Sequence, residues 1–178
     1  TIFSDTLEQE NYYRKKIEVY LNNKFKLKRI DYQIRRNEYV EIPMQDLPYS
    51  PWYQPRVMNL GMAGGLGKPS TGYTFTRIQQ HTQDIVEKLQ EEGVPALPYR
   101  SPLRYRAYDL WLLQIMHDHP AEALKIFRSL FKNNRIDRVF KFLSEDNTFR
   151  EDLKIMSSVP YLPFLRAIWK TRSRLFEL

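Results

Sequence analysis

The chain has 178 residues, room for one domain with a sizeable core or two smaller units, and its 42% apolar and 28% charged shares are those of a globular protein. It has no cysteine, which excludes disulfides, thiolate metal sites and a thiol nucleophile and suits a reducing cytoplasmic setting, and no apolar run approaches the roughly 20 residues of a membrane span. The net charge of +7 fits an anionic membrane surface, nucleic acid or plain solubility, and its sign does not separate them.

In chain order, Asp5 with Glu8 three residues on reads as a capping box, and Tyr13, Ile17, Tyr20 and Leu21 form an apolar stripe with Arg14, Lys15 and Glu18 outside it. This predicts a helix from about residue 6 to 24. Ile30, Tyr32 and Ile34 then alternate with Asp31, Gln33 and Arg35, and Tyr39 to Ile42 continue in β-favouring residues, so one or two strands are expected. Residues 47–55 hold three prolines and three aromatics and are expected to be a loop. Its rings suit a lid over an apolar substrate or a cover over the core edge.

Arg56 to Leu60 has the length and apolar content of a buried strand. Five of the six glycines follow between Gly61 and Gly72. Ile78, Thr82, Ile85, Val86 and Leu89 then recur at helical spacing, with Ser70 or Thr71 available to cap the start and Gly93 placed just past the end. A strand, a glycine loop and a helix suit an anion or an electron-rich ring, because glycine admits a ligand close to the main chain and a helix start presents unpaired N–H groups. A tight turn with close packing is the plainer alternative. The loop is not a phosphate-binding P-loop, since Met62 and Pro69 stand where that motif needs glycine and a hydroxyl residue, and no dinucleotide glycine fingerprint reads through it.

Pro95, Pro98 and Pro102 mark a break, after which the pattern is helical. Leu103, Ala107, Leu110, Trp111 and Ile115 share one face. Pro120 suits the first position of a helix with Leu124, Phe127 and Phe131, and Val139, Phe140 and Leu143 lie in a third. Phe164, Leu165, Ile168 and Trp169 stand beside Arg166, Lys170 and Arg172, which suits either interfacial anchoring or a terminal helix docked on the domain. His117 and His119 flank Asp118, but Pro120 makes His119 a helix cap rather than a metal ligand, and His81 falls on the polar side of its helix. No metal site, nucleophilic triad or nucleic-acid module is expected.

Leu60-Gly61-Met62-Ala63-Gly64-Gly65, Lys68-Pro69-Ser70-Thr71-Gly72-Tyr73-Thr74-Phe75 and Arg77-Ile78-Gln79 resemble the second flavin-contacting segment of the lycopene cyclase family. Thr1-Ile2-Phe3-Ser4 resembles the end of that family's acidic segment, and Ile42-Pro43-Met44 its Ile-Pro-Met strand. The resemblance covers residues 1 to about 92.

It implies an α+β chain that is the C-terminal portion of an α/β FAD-binding two-domain fold. Residues 1–93 would belong to the substrate and FAD-binding domains, and residues 94–178 would form a helical region with a possible membrane face. The implied activity is isomerase chemistry of carotenoid biosynthesis, the redox-neutral cyclisation of a linear, lycopene-like end group. Reduced FAD is the implied cofactor, NAD(P)H the reductant, and peripheral membrane association at the cytoplasmic side the implied location.

Gly61, Ala63, Gly64, Gly65, Gly67, Lys68, Pro69, Ser70, Thr71 and Gly72 are the implied cofactor contacts, and Pro43, Met44, Tyr73 and Phe75 would line the substrate channel. The family's acidic catalytic residue would fall upstream of Thr1, together with a Rossmann part, so these residues by themselves are expected to be inactive. The competing readings are another flavoenzyme of the same fold, such as an isoprenoid reductase or aromatic hydroxylase, and a non-enzymatic membrane-surface module.

Overall fold

The computed structural model describes residue 4 and residues 6–176; Thr1, Ile2, Phe3 and Asp5, with the resemblance and the capping box read on them, lie outside the described residues. The chain divides into two compact units, one reaching to Glu41 and one beginning at Ile42.

The first unit carries α1 (Glu10–Phe25), which starts later than the expected residue 6, with Gln9 at its N-cap. It ends at Lys26, whose left-handed backbone (φ 59°) lets its N–H reach the carbonyls of Asn22 and Leu21. No residue of α1 is buried. Tyr13 meets Tyr12 edge-on at 5.6 Å and Tyr39 at 5.9 Å, and Ile17 remains 59% exposed. The strands expected between Ile30 and Ile42 do not form. A 3-10 turn at Arg29–Asp31 is followed by extended chain. Alternation supplies a face for a strand but not the neighbouring strand whose ladder satisfies its N–H and C=O groups.

The second unit begins with an antiparallel hairpin of β1 (Trp52–Gln54) and β2 (Val57–Met58), in register Trp52 to Met58 and Gln54 to Val57. Arg56 turns between them at φ 66°. Residues 47–55 are therefore not all loop, and 56–60 is not a buried strand. It is two residues with a single neighbour, and Val57 stays exposed. A 3-10 turn (Gly61–Gly64) leads into the glycine loop and then α2 (Phe75–Glu92), closed as expected by Gly93 at φ 72°. The helix starts after Thr74, so neither Ser70 nor Thr71 caps it. His81 is buried and donates from Nε2 to the Ala96 carbonyl at 3.0 Å, which corrects its placement on an exposed side.

Five helices follow: α3 (Leu103–Asp118), α4 (Pro120–Asn133), α5 (Ile136–Leu143), α6 (Phe149–Ser157) and α7 (Leu162–Thr171). Pro120 occupies the first turn of α4 after His119, where its missing N–H costs nothing. Thr148 and Glu151 form a reciprocal capping box that starts α6. Helix α3 packs on α4 and α7, α4 on α5, and α5 on α6. One core cluster joins Ile115, Ala123, Ile126 and Ala167; another joins Leu130, Val139, Leu143 and Ile155. The faces read for α3 and α5 are buried at Ala107, Leu110, Ile115, Val139 and Leu143, although Leu103 and Phe140 are exposed; on α4 the face is turned, with Leu124 and Phe131 exposed and Ala123, Ile126 and Leu130 inward. The fold is α+β with a small hairpin and a helical C-terminal half. No helix of the described residues is long and apolar enough to cross a membrane.

Candidate functional site

The glycine loop is shaped first by its own chain. A Cβ on Gly64 would stand 2.5 Å from the Asn59 carbonyl oxygen, and one on Gly65, already at φ 79°, would stand 2.9 Å from Tyr49 Cβ. Both positions therefore need glycine for close packing whether or not a ligand is bound. Tyr49 thus covers the loop, the plainer of the two roles open to the rings of residues 47–55. Gly67 lies against Met62. A Cβ on Gly72 would lie 3.5 Å from Ile42 Cγ2, so the Ile42-Pro43-Met44 segment runs beside the loop, with Pro43 exposed and Met44 half-buried.

The amides of Thr71 and Gly72, expected to face a ligand, both donate to the Lys68 carbonyl, at 3.2 and 2.8 Å. They close a turn instead. Thr71 Oγ1 accepts from the Tyr73 N–H, and the Lys68 N–H donates to the Tyr73 carbonyl. Ala63 is exposed, Pro69 half-buried, and Tyr73 packs on the Leu130–Val139 cluster. Phe75, by contrast, is 67% exposed, so these two of the four expected channel residues occupy different surroundings.

Lys68 and Ser70 point inward. Lys68 is 3% exposed, and its Nζ donates to Asp109 Oδ2 at 2.9 Å and to Glu145 Oε1 at 3.0 Å. Ser70 donates to Asp109 Oδ1 at 2.5 Å. Arg77 Nη2 donates to the same Glu145 oxygen and, at 2.7 Å, to Ser101 Oγ. The face of Tyr105 lies 5.5 Å from the Lys68 ammonium and 4.6 Å from the Arg104 guanidinium. Its hydroxyl donates to Asp152 Oδ1 at 3.2 Å, and Arg104 Nε to Asp152 Oδ2 at 3.1 Å. Two cations from the loop and α2 thus meet two carboxylates from α3 and the α5–α6 turn.

This clasp joins the glycine loop to the helices. Burial, the main cause, pushes the Asp109 carboxyl above its usual range against the pull of Lys68, and pushes the Tyr105 hydroxyl up to about 12. Glu145 adopts φ 64°, uncommon for a residue with a side chain, and its Oε2 lacks a partner among the described residues. Its partners lie 77 and 68 positions away in sequence, which is why no local motif announced it. Asp109 had one visible mark: it is the sole acidic residue between Pro102 and His117.

A cofactor on this loop would therefore meet main chain rather than the Lys68 or Ser70 side chains. The partly exposed backbone at Gly61, Gly65, Gly67 and Gly72 remains approachable. Thr74 gives no side-chain cap to α2, so the first amides of that helix stay open to an electron-rich group. The residues present fit such a group through these atoms.

A family model described as "Lycopene cyclase protein" matches residues 1–169, both compact units included. No curated protein and no solved structure matches the chain. The match spans nearly the whole sequence and contains the glycine loop and its clasp, and the chain belongs to the lycopene cyclase family.

Proposed function

We propose that this chain serves an FAD-dependent enzyme that cyclises the end group of a linear, lycopene-like carotenoid without net oxidation or reduction. The observation that carries the reading is the family match over residues 1–169, which includes the glycine loop. A proton adds to the terminal double bond, the resulting cation closes to a six-membered ring, and another proton leaves. Reduced FAD, maintained by NAD(P)H, would supply negative charge beside the developing cation.

The chain's own residues hold and orient. Backbone at Gly61, Gly65, Gly67 and Gly72 admits a flat group, and the uncapped α2 terminus favours its electron-rich edge. Lys68, Ser70, Asp109 and Glu145 fix the loop from behind. Ile42 lies against Gly72 with Pro43 and Met44 next to it in sequence, Tyr73 packs on the Leu130–Val139 cluster, and Phe75 is exposed at the start of α2.

Because such a substrate resides in the bilayer, the second element of the proposal is peripheral docking on anionic membrane. Leu162, Leu165 and Trp169 are exposed on α7 beside Arg166 and Lys170, and Arg172 lies over the Trp169 ring at 4.9 Å. Vesicles rich in anionic lipid should bind the enzyme, less as salt rises. Equal binding to neutral vesicles removes this element.

The activity is tested by counting electrons. With linear carotenoid and reduced FAD, rings should form without stoichiometric NAD(P)H oxidation. One nicotinamide oxidised per product would instead favour a reductase of the same fold.

A further inference from the structure

The charge of the chain is concentrated in one place. Residues 14–36 hold nine Lys and Arg against two Asp and Glu, a surplus equal to the net +7 of the whole chain, so the remaining sequence balances to zero. The segment is most of α1, the 3-10 turn after it and the extended chain that follows. Its two carboxylates cancel little of that charge. Arg29 reaches Glu18 only at 3.9 Å, and Asp31 accepts from the Lys28 backbone N–H at 2.6 Å. Arg14 and Arg36 pair outside the segment, with Glu10 and Glu38. Lys15, Lys16, Lys24, Lys26, Lys28 and Arg35 are exposed, and none has a carboxylate partner among the described residues.

Apolar side chains stand among these cations. Ile17, Tyr20 and Lys24 follow one another along one side of α1 at helical spacing. Tyr20 meets Phe25 edge-on at 5.9 Å, and the Lys24 ammonium lies over both rings, at 5.7 and 6.0 Å. Ile17, Tyr20 and Phe25 are more than half exposed, and Ile30 in the turn beyond is 90% exposed. The result is a patch in which ring faces, branched aliphatics and ammonium groups share one surface.

Such a surface makes two demands at once. A polyanion such as RNA pairs the cations but leaves Ile17 and Ile30 in water. A neutral apolar surface covers those side chains but leaves six cations without counter-charge. An anionic bilayer meets both, with phosphates at one depth and hydrocarbon just below, and lysine stems and aromatic rings settle at that boundary. At 16 residues, α1 runs about 24 Å, enough to lie along the boundary, and its charges keep it from crossing.

We propose that α1 and the turn after it form a docking face for an anionic bilayer, with Ile17, Tyr20 and Phe25 entering the headgroup boundary and the surrounding lysines on lipid phosphates. The face belongs to the first unit. It depends neither on the carotenoid reading nor on the α7 anchor.

Because the chain has no cysteine, one introduced thiol carries a single label. In the full protein, Ile17→Cys bearing an environment-sensitive fluorophore should shift to shorter wavelength on vesicles of phosphatidylcholine with phosphatidylglycerol. Lipids brominated on their acyl chains should quench it. The same label at Glu91→Cys, exposed on α2, should do neither, and pure phosphatidylcholine should leave both unchanged. Each basic residue near an anionic surface strengthens binding about fivefold, so Lys24→Gln with Lys28→Gln should weaken it about 25-fold, and by less as salt rises. In Trp169→Ala, which removes the α7 anchor, the Ile17 label should still enter at saturating vesicles.

An Ile17 label that does not respond to anionic vesicles overturns the face, and so does an equal response at Glu91. Binding indifferent to Lys24 and Lys28 overturns the part given to charge. A label that fails to enter in Trp169→Ala leaves docking to α7 and overturns α1 as a face of its own. Single-stranded RNA bound more tightly than the vesicles, with the Ile17 label unmoved on lipid, assigns the surface to a polyanion and overturns the bilayer. A protein that docks through α1 but cyclises no carotenoid contradicts the functional reading and leaves this face standing.

Discussion

Helices α1 and α4 both carry an apolar stripe on a charged background, yet α1 buries no residue while α4 buries Ala123, Ile126 and Leu130. The charges differ in the same way. Ion pairs of the first unit, such as Arg14–Glu10 and Arg36–Glu38, are exposed, whereas Lys68, Asp109 and Glu145 form theirs in the core of the second. An exposed pair contributes about 0–1 kcal/mol, but a buried cation deprived of its carboxylates, or the reverse, costs several. Periodicity says which side of a helix is apolar, and only a packed neighbour turns that side into core.

The sharpest way to break this contrast is Lys68→Met. It leaves Asp109 buried without its cation and Glu145 with Arg77 alone, and the unfolding free energy measured in urea should fall by about 3–5 kcal/mol. Combining it with Asp109→Leu should recover part of that loss, because the one carboxylate that then faces the new side chain, Glu145, keeps Arg77 as its partner. A fall below about 1 kcal/mol for the single variant would mean that the clasp does not hold the loop.

Next in size is Gly64→Ala. Its methyl meets the Asn59 carbonyl, so the loop must shift, at a cost of about 1–3 kcal/mol in thermal or urea unfolding. A bulkier Gly64→Val costs more, and any flavin loss in such variants must be judged beside their stability. An unchanged Gly64→Ala would leave the glycine to a ligand alone.

A smaller effect separates the Thr148–Glu151 cap by pH. Lys141 chiefly, and then Thr148, hold the Glu151 carboxyl down at about 2, below its ordinary 4.5. A depressed carboxyl pKa contributes stability that is fully present above the ordinary value and lost as pH falls through the folded one. The stability gap between the native protein and Glu151→Gln should therefore be widest above pH 4.5 and close near pH 2. A gap that does not vary with pH would remove the charge from the cap.

Ile17→Ser on α1 should change stability least, by no more than about 0.5 kcal/mol, because the side chain is exposed. A loss of several kcal/mol would show that this face is covered.

Much of the helical half was legible. Pro120 and Gly93 stand where a helix begins and where one ends, and both took those roles because proline lacks the N–H and glycine accepts a left-handed backbone. The glycine loop was visible as composition, although its Gly64 and Gly65 are explained by Asn59 and Tyr49 without a ligand. Strand pairing was not legible: residues 30–42 alternate and pair with nothing, while residues 52–54, amid prolines, pair with Val57 and Met58. Nor was the clasp, since its partners come together only when α3 and the α5–α6 turn pack behind the loop. Lys68 looked like a loop lysine free to meet a cofactor, and burial between two carboxylates gives it another role.

The proposed chemistry is tested most directly by product mass after turnover in heavy water, with reduced FAD and a linear carotenoid. Redox-neutral cyclisation takes one proton from solvent and returns another, so the product made in ordinary water has the mass of its substrate. In heavy water it should gain one deuterium per ring, with NAD(P)H not consumed in proportion. A product heavier by two hydrogens in ordinary water, formed with one nicotinamide oxidised each time, would contradict the account and place the enzyme among reductases.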